Sequence, residues 1–259
     1  MTVDAAVQAG IHALWDELAD FNAAQADAAR DHLLGRLCRL IDSPHATWIG
    51  AVRLGDPQPG DPVLGWRVGV IRYLHPDPAF DRVAQRQSEE LEAGIVDETT
   101  VANVAGFGAF RVNLLADLAP PGWFEGEFYR RFYVGSGRTD AVWAGVPVNA
   151  DAESYFGFYR GPGQPRFGKA EKDIVAMALR GLRWFHRAQF LSEGLGVASE
   201  PLAPSERRVL AGLLGRGTEA AIAAELGLTP ATVHTYATRI YRKFNVQGRA
   251  GLTALWLGQ

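Results

Sequence analysis

The sequence predicts an α+β protein in two parts. Residues 1–191 read as an N-terminal α/β domain, a small antiparallel sheet flanked by helices. Residues 204–259 read as an all-α domain of four helices. Three observations lead there. Runs rich in Val, Ile, Trp and Tyr lie between segments whose apolar residues recur at helical spacing, all before residue 191. Residues 192–203, SEGLGVASEPLA, are small and bear glycine and proline, the composition of a linker. After residue 204 only short helical patterns follow.

Residues 4–20 and 23–41 are two helices, with Leu14, Leu18 and Phe21, then Leu33, Leu34, Leu37 and Leu40, at helical spacing. The second stops before Ser43-Pro44, because the residue before a proline is pushed out of the helical region. Residues 47–54 and 66–74 are strands, joined by a loop over 55–65 with three prolines. Helical patterns follow at 79–93, 98–104 and 123–133. Residues 141–148 and 154–160 are strands joined by Asn149-Ala150-Asp151, a turn composition. A long helix over 169–191 ends this domain, with Ile174, Ala178, Leu182 and Phe185 on its buried face.

Composition bounds the function. Hydrophobic residues are 47% and charged residues 21% of 259, so the chain has a packed core and is not a disordered tract. There is no apolar run of about 18 residues and no basic-then-apolar leader, which predicts a cytoplasmic protein with no membrane partner. The single cysteine, Cys38, excludes an intrachain disulfide and a cysteine-rich metal site. The six histidines show no metal-ligand spacing, so no metal and no cofactor is implied. No catalytic constellation is legible, and the expectation is a protein that is not an enzyme. Gly163 to Lys169 fits GxxxxGK, but Ala170 stands where a phosphate loop needs Ser or Thr, and Pro165 removes an amide. It reads as a strand-to-helix loop.

Charge is uneven. Residues 200–259 hold seven basic and four acidic residues, against 19 and 25 in the remainder. A basic part in an acidic chain points to a nucleic-acid partner. In that part, residues 204–214 form an amphipathic helix with Val209, Leu210 and Leu213 inward and Ser205 as its N-cap. Thr218 caps a helix over 219–226, Gly227 allows a tight left-handed turn, and Thr229-Pro230 starts a third helix. There Val233, Ala237, Ile240 and Phe244 make the buried stripe. The opposite face is polar and basic. A fourth helix covers 249–257. Two short helices joined through a glycine turn, the second with such a face, are the helix-turn-helix pattern, whose second helix fits the major groove.

The stretch 202–252 resembles the LuxR-type (NarL-type) helix-turn-helix. LxxxExxVL stands as Leu202, Glu206, Val209 and Leu210. GxxxxIAxxL stands as Gly217, Ile222, Ala223 and Leu226, and TVxxxxxxIxxKF as Thr232, Val233, Ile240, Lys243 and Phe244. Val246 and Arg249 complete the family's usual ending. Three positions depart: Ser205 replaces a basic residue, Ala221 an acidic one, and His234-Thr235-Tyr236 the usual Lys-x-His. The resemblance implies a regulator of transcription, homodimeric on double-stranded DNA. His234, Thr235 and Thr238 would face bases, and Thr232, Arg239, Arg242 and Lys243 would face phosphates. Leu252, Leu255 and Trp256 of the fourth helix would form the dimer surface.

The N-terminal domain is then expected to be a sensor. A phosphorylated receiver would need an ordered set of acidic residues and a lysine that the chain lacks. An acyl-homoserine-lactone domain is the right size. That family's Trp-x3-Tyr-x8-Asp-Pro spacing is absent, although Asp77-Pro78 and the strand pair over 141–160 resemble part of it. Pro147-Val148 through Phe156, followed by a long helix, is similar to GAF- and PAS-like sensors. Many aromatic residues precede that helix, as in pockets for small apolar or aromatic ligands. Trp48, Trp66, Trp143 and Tyr155 are the pocket candidates, with Arg111 and Asp140 as polar anchors. A quorum-sensing-type autoinducer receptor and a ligand-free dimerisation or interaction module are the alternatives. An apolar cavity distinguishes a sensor from the latter.

Overall fold

The computed structural model describes residues 3–55, 60–76 and 78–258. Residues 56–59 of the proline-bearing loop, and Asp77 of the Asp77-Pro78 pair, lie outside the described residues. Contacts divide the chain into two compact units. One holds the residues up to Trp15 together with Leu33–Leu182, and the other Asp16–His32 together with the chain from Arg183 onward. Helices α1 (Ala5–Ala19) and α2 (Ala26–Leu40) therefore each belong in part to both. The sequence reading put residues 16–32 and 183–191 with the sensor instead.

The first unit is built on five strands, all antiparallel to their neighbours: β1 (His45–Arg53), β2 (Trp66–Tyr73), β3 (Arg111–Leu114), β4 (Asp140–Asn149) and β5 (Ala152–Arg160). Their order is β2-β1-β5-β4-β3. The fold class is thus the expected α+β one. The β4–β5 turn is the expected one too: Asn149 Oδ1 accepts the Asp151 amide at 2.8 Å. Strand β3 went unpredicted, because four residues are too few to show a period of two.

Side chains alternate across the sheet. Ala46, Trp48, Val142, Ala144, Phe156 and Phe158 are buried on one face. Helix α6 (Lys169–Arg180) packs on β3 and β4, and the Trp15 indole of α1 donates to the Ala178 carbonyl at 2.9 Å. The other face carries Ile49, Ala51, Trp143, Tyr155 and Tyr159. It lies under α3 (Pro78–Glu92), α4 (Glu98–Val104), α5 (Leu115–Leu118) and an aromatic stretch from Trp123 to Tyr133. That stretch is not the single helix expected over 123–133. A 3-10 turn at Trp123–Glu125 and a wide turn at Tyr129–Tyr133 replace it, because Gly122 at φ +79° and an extended Gly126 interrupt the helical path.

The expected long helix over 169–191 is two helices, α6 and α7 (Arg183–Glu193). Gly181 ends α6, a residue that costs about 1 kcal/mol relative to alanine inside a helix. The second unit continues with α8 (Pro204–Leu214), α9 (Glu219–Leu226), α10 (Pro230–Lys243) and α11 (Arg249–Leu257). Val209, Leu210, Leu213, Ile222, Ala223, Val233, Ala237 and Ile240 make its core, as the periodicity predicts. The glycine turn also forms as read: Gly227 has φ +66°.

Two details of this unit differ from expectation. Ser205 is not the N-cap of α8. Ala203 is, and Glu206 accepts its amide proton at 2.8 Å. Residues 192–203 are not a loose linker either. Leu195 and Leu202 are buried, and the Ser199 amide donates to the Lys243 carbonyl at 2.8 Å. Leucines at 191, 195 and 202 supply apolar surface, and Gly194 and Gly196 supply the positive-φ turns that let it fold back. The N-terminal segment of this unit is tied to α8 as well: Arg207 pairs with Asp27 at 2.6 Å and with buried Glu193 at 3.0 Å.

Candidate nucleic-acid interface and ligand cavity

Helix α10 owes its position to its caps and its stripe. Thr229 Oγ1 accepts the Thr232 amide at 3.2 Å, and Pro230 fills the first position where no donor is needed. The buried stripe leaves His234, Thr235, Thr238, Arg239 and Arg242 exposed on the outer side, with Thr232 half-buried. The Thr235 and Thr238 hydroxyls each donate at 3.0 Å to the carbonyl four residues back, Ala231 and His234. Toward the groove they therefore offer oxygen lone pairs and methyl groups. Arg239 lies 6.0 Å from the Tyr236 ring, so that half-buried tyrosine helps hold the guanidinium.

Lys243 departs from its expected phosphate-facing role. It is buried, and its ammonium donates to Glu206 at 2.7 Å and to the Pro201 carbonyl at 3.1 Å. Burial alone would raise the Glu206 carboxyl, but Lys243 and the Ala203 amide together hold it below the usual glutamate value. A basic residue on the last turn of a reading helix looks like a phosphate contact by position. Only the three-dimensional path of residues 200–206 shows that it is a structural pair. Arg249, at the start of α11, is likewise spent on structure. Its guanidinium donates to the Leu213 carbonyl at 2.6 Å, to Gly217 at 2.7 Å and to Gly215. These carbonyls lie at and beyond the C-terminal end of α8, where they would otherwise lack partners. On α11, Leu252 is buried in the core, and Leu255 and Trp256 are half-buried against it.

Sequence reasoning missed Glu219. It sits in the first turn of α9, and its Oε2 is 3.2 Å from His234 Nδ1. A carboxylate beside the polar face of α10 gave no signal in periodicity, because the two residues are 15 apart in sequence.

The first unit holds a cavity of about 210 Å³ between the sheet and the helices α3 and α4. Four of the six pocket candidates, Trp66, Trp143, Tyr155 and Arg111, lie along its wall. Trp66 stacks on Phe107 at 4.2 Å, and Trp143 on Tyr155 at 5.2 Å. Two glycines make room for this. In register, Arg111 faces Gly145, which faces Tyr155, while Trp143 faces Gly157. A Cβ at Gly157 would come within 2.4 Å of the Trp143 ring, and one at Gly145 within 2.5 Å of the Arg111 guanidinium.

Two pocket candidates lie elsewhere. Trp48 neighbours Ile49 on β1, so the alternation turns it to the opposite face, where its indole donates to Ser154 at 2.6 Å. Asp140 is buried at the start of β4 and accepts the Phe167 amide at 2.6 Å. Burial raises its carboxyl above the ordinary value despite that bond.

Three of the charged groups at the cavity wall, Arg111, Arg67 and Glu90, sit in ion pairs, while the Arg138 guanidinium donates to the Ser136 carbonyl and lies 3.7 Å over the Phe80 ring. Arg111 makes a two-pronged bridge to buried Glu153, 2.7 Å on each prong, and its guanidinium lies 4.5 Å over the Phe107 ring. Burial still lifts the Glu153 carboxyl above its ordinary value. Arg67 pairs with Asp61 at 3.1 Å, and Glu90 with Arg131. Other polar groups at the wall are hydrogen-bonded: Asn103 donates to the Tyr155 hydroxyl and accepts from Asn113 at 3.1 Å, and the Asp97 carboxylate accepts the Trp123 indole proton at 2.8 Å. None of Glu153, Asn103, Asn113 or Phe107 was singled out from sequence. No group of three or more metal-ligating side chains occurs among the described residues. No helix there is long and apolar enough to cross a membrane.

The two units thus differ, one presenting a helix with an exposed polar and basic face, the other a sheet-and-helix layer around an aromatic cavity. The C-terminal unit contains a helix-turn-helix domain of the kind that docks in the major groove. Residues 200–256 match the GerE family, the bacterial regulatory proteins of the luxR family. No curated protein sequence matches the chain. Among solved structures the chain is similar to SdiA in complex with octanoyl-rac-glycerol, at 14% identity and a TM-score of 0.47, covering 100% of this chain and 96% of that one. It is similar at 14% identity and a TM-score of 0.45 to Escherichia coli SdiA, covering 96% of each. A third likeness, at 14% identity and 0.45, is to the LBD domain of VqsR from Pseudomonas aeruginosa, covering 72% of this chain and 98% of that domain.

Proposed function

We propose that this chain is a one-component transcription regulator that binds double-stranded DNA through α10 and a small apolar or aromatic molecule in the cavity of its first unit. The luxR-type match at residues 200–256, lying on a helix with an exposed His, Thr and Arg face, carries the DNA-binding part. His234, Thr235 and Thr238 are the base-facing candidates, and Thr232, Arg239 and Arg242 the phosphate-facing ones. A homodimer fits this reading, with α11 as its surface through Leu255 and Trp256.

The cavity carries the sensing part. At about 210 Å³ it exceeds the roughly 150 Å³ apolar cavity that accepts benzene. A mostly apolar recess of this kind, with a few polar groups, supports a sensor over a ligand-free interaction module. The mostly apolar and aromatic wall favours an apolar or aromatic ligand, oriented by polar groups such as Asn103, Tyr155 and Asp97. A quorum-sensing receptor is one form this function takes.

Native and denatured masses of the purified full-length protein test the sensing part. A native dimer carrying extra mass lost on denaturation is the expected result. Bare chains, with no thermal stabilisation by any of a panel of neutral aromatic and acyl compounds, would contradict it.

A further inference from the structure

We propose that Glu219 is a positioning residue for base reading: it fixes the hydrogen-bonding character that His234 offers to DNA. The proposal rests on the DNA-binding reading above. Thr218 caps α9, which places Glu219 in its first turn beside the N-terminal half of α10. Its Oε2 lies 3.2 Å from His234 Nδ1. A carboxylate only accepts hydrogen bonds, so Nδ1 carries the ring proton. In the neutral imidazole the other nitrogen, Nε2, is then an acceptor.

The consequence is a base preference. An acceptor in the major groove matches an exocyclic amino group, N4 of cytosine or N6 of adenine. Guanine presents N7 and O6, both acceptors, and is disfavoured. Thr235 and Thr238 do not compensate, because their hydroxyl protons are engaged with the α10 carbonyls. The side chain of His234 is 71% exposed, so the pair is weak in water. Docking against a duplex removes that water and strengthens it. Glu219 also carries negative charge toward phosphates, which weakens binding to duplexes of any sequence. Removing it should therefore raise general affinity while lowering discrimination, a pairing of effects that a merely structural residue would not produce.

The test uses the full-length protein, wild type and the Glu219→Ala, Glu219→Asp and His234→Ala variants. Operators are selected from random duplexes, and affinities are then measured by anisotropy. The wild type should select cytosine or adenine at one position of each half-site. Glu219→Ala and His234→Ala should both flatten that position by about fivefold to tenfold, the low end of what a good two-pronged base-edge pair contributes. Glu219→Ala should bind non-specific duplex more tightly, and Glu219→Asp should keep part of the preference. Nitrogen-15 spectra of the histidine rings at about pH 8.5, two units above the usual imidazole value, should show the Nδ1–H form for His234. In Glu219→Ala they should show a shift toward Nε2–H. Selection of guanine at that position, or an unchanged preference in Glu219→Ala alongside a loss in His234→Ala, would overturn the proposal. So would an Nε2–H ring in the wild type. A wild-type protein selecting no sequence would refute the DNA-binding reading instead, and the spectra would still decide whether Glu219 sets the tautomer.

Discussion

Replacing Lys243 with methionine separates a structural role from a DNA-contacting one. The Lys243 and Glu206 side chains are 9% and 6% exposed, and their charged atoms are 2.7 Å apart. Methionine keeps most of the apolar stem and removes the ammonium. It leaves a buried carboxylate whose main counter-charge is gone. Breaking such a pair from one side costs about 3–5 kcal/mol. Glu206 keeps the Ala203 amide, which places the expected loss at the low end, about 3 kcal/mol. Each 1.4 kcal/mol is tenfold in an equilibrium constant, so local opening should become roughly a hundredfold more frequent. Hydrogen exchange on the full-length protein reads this directly in peptides from α8 and α10. The double variant Glu206→Leu, Lys243→Met should recover much of the loss, because no unpaired charge remains. The salt dependence of DNA binding should keep its slope, since this ammonium is not free to displace a counterion. Unchanged exchange together with a slope reduced by about 0.9 would show that Lys243 faces phosphate and would refute the reasoning.

Four further outcomes are expected. Arg242→Ala should weaken binding to all duplexes about equally and reduce the salt slope by about 1; a loss confined to one operator would contradict a phosphate role. Gly157→Ala should destabilise the first unit by about 1–3 kcal/mol in urea denaturation, because the new Cβ meets the Trp143 ring and the Tyr159 hydroxyl; wild-type stability would show that the β5–β4 contact is looser than described. Arg249→Ala should raise hydrogen exchange at the end of α8, where three carbonyls lose a charged donor, by a loss of about 3 kcal/mol. The Glu206 carboxyl is held low in the folded state, so its contribution is fully present above about pH 4.3, the ordinary glutamate value, and fades as pH falls through the lower folded one. The stability gap between wild type and Glu206→Gln should therefore shrink on acidification below about pH 4.3; a constant gap would mean the carboxylate is not the stabilising species.

The C-terminal helices were legible in sequence because each boundary has a local cause. Thr218, Gly227 and Thr229-Pro230 mark ends chemically, and Val233, Ala237 and Ile240 mark the inward face whatever surrounds them. What escaped depends on residues far apart in sequence. Lys243 looks solvent-facing until Glu206 is brought beneath it, and Glu219 is invisible as a neighbour of His234. In the first unit, the strands β1, β2, β4 and β5 followed from composition, but their faces did not. Trp48 and Trp66 are both tryptophans on strands. Only the register and the β1–β2 bulge at Gly50/Ala51 decide that one lines the cavity and the other packs behind the sheet. The 169–191 pattern is continuous in apolar spacing, and the break at Gly181 was the one cue against a single helix.

The regulator reading stands or falls on whether α10 reads DNA. Selection from a random duplex library with the full-length protein tests it most directly, with the Thr235→Ala and Arg242→Ala variants run beside the wild type. One enriched motif is expected for the wild type, relaxed at a single base position in Thr235→Ala, and the same motif at uniformly lower affinity in Arg242→Ala. An unenriched library, or a motif untouched by changes on the exposed face of α10, would contradict it.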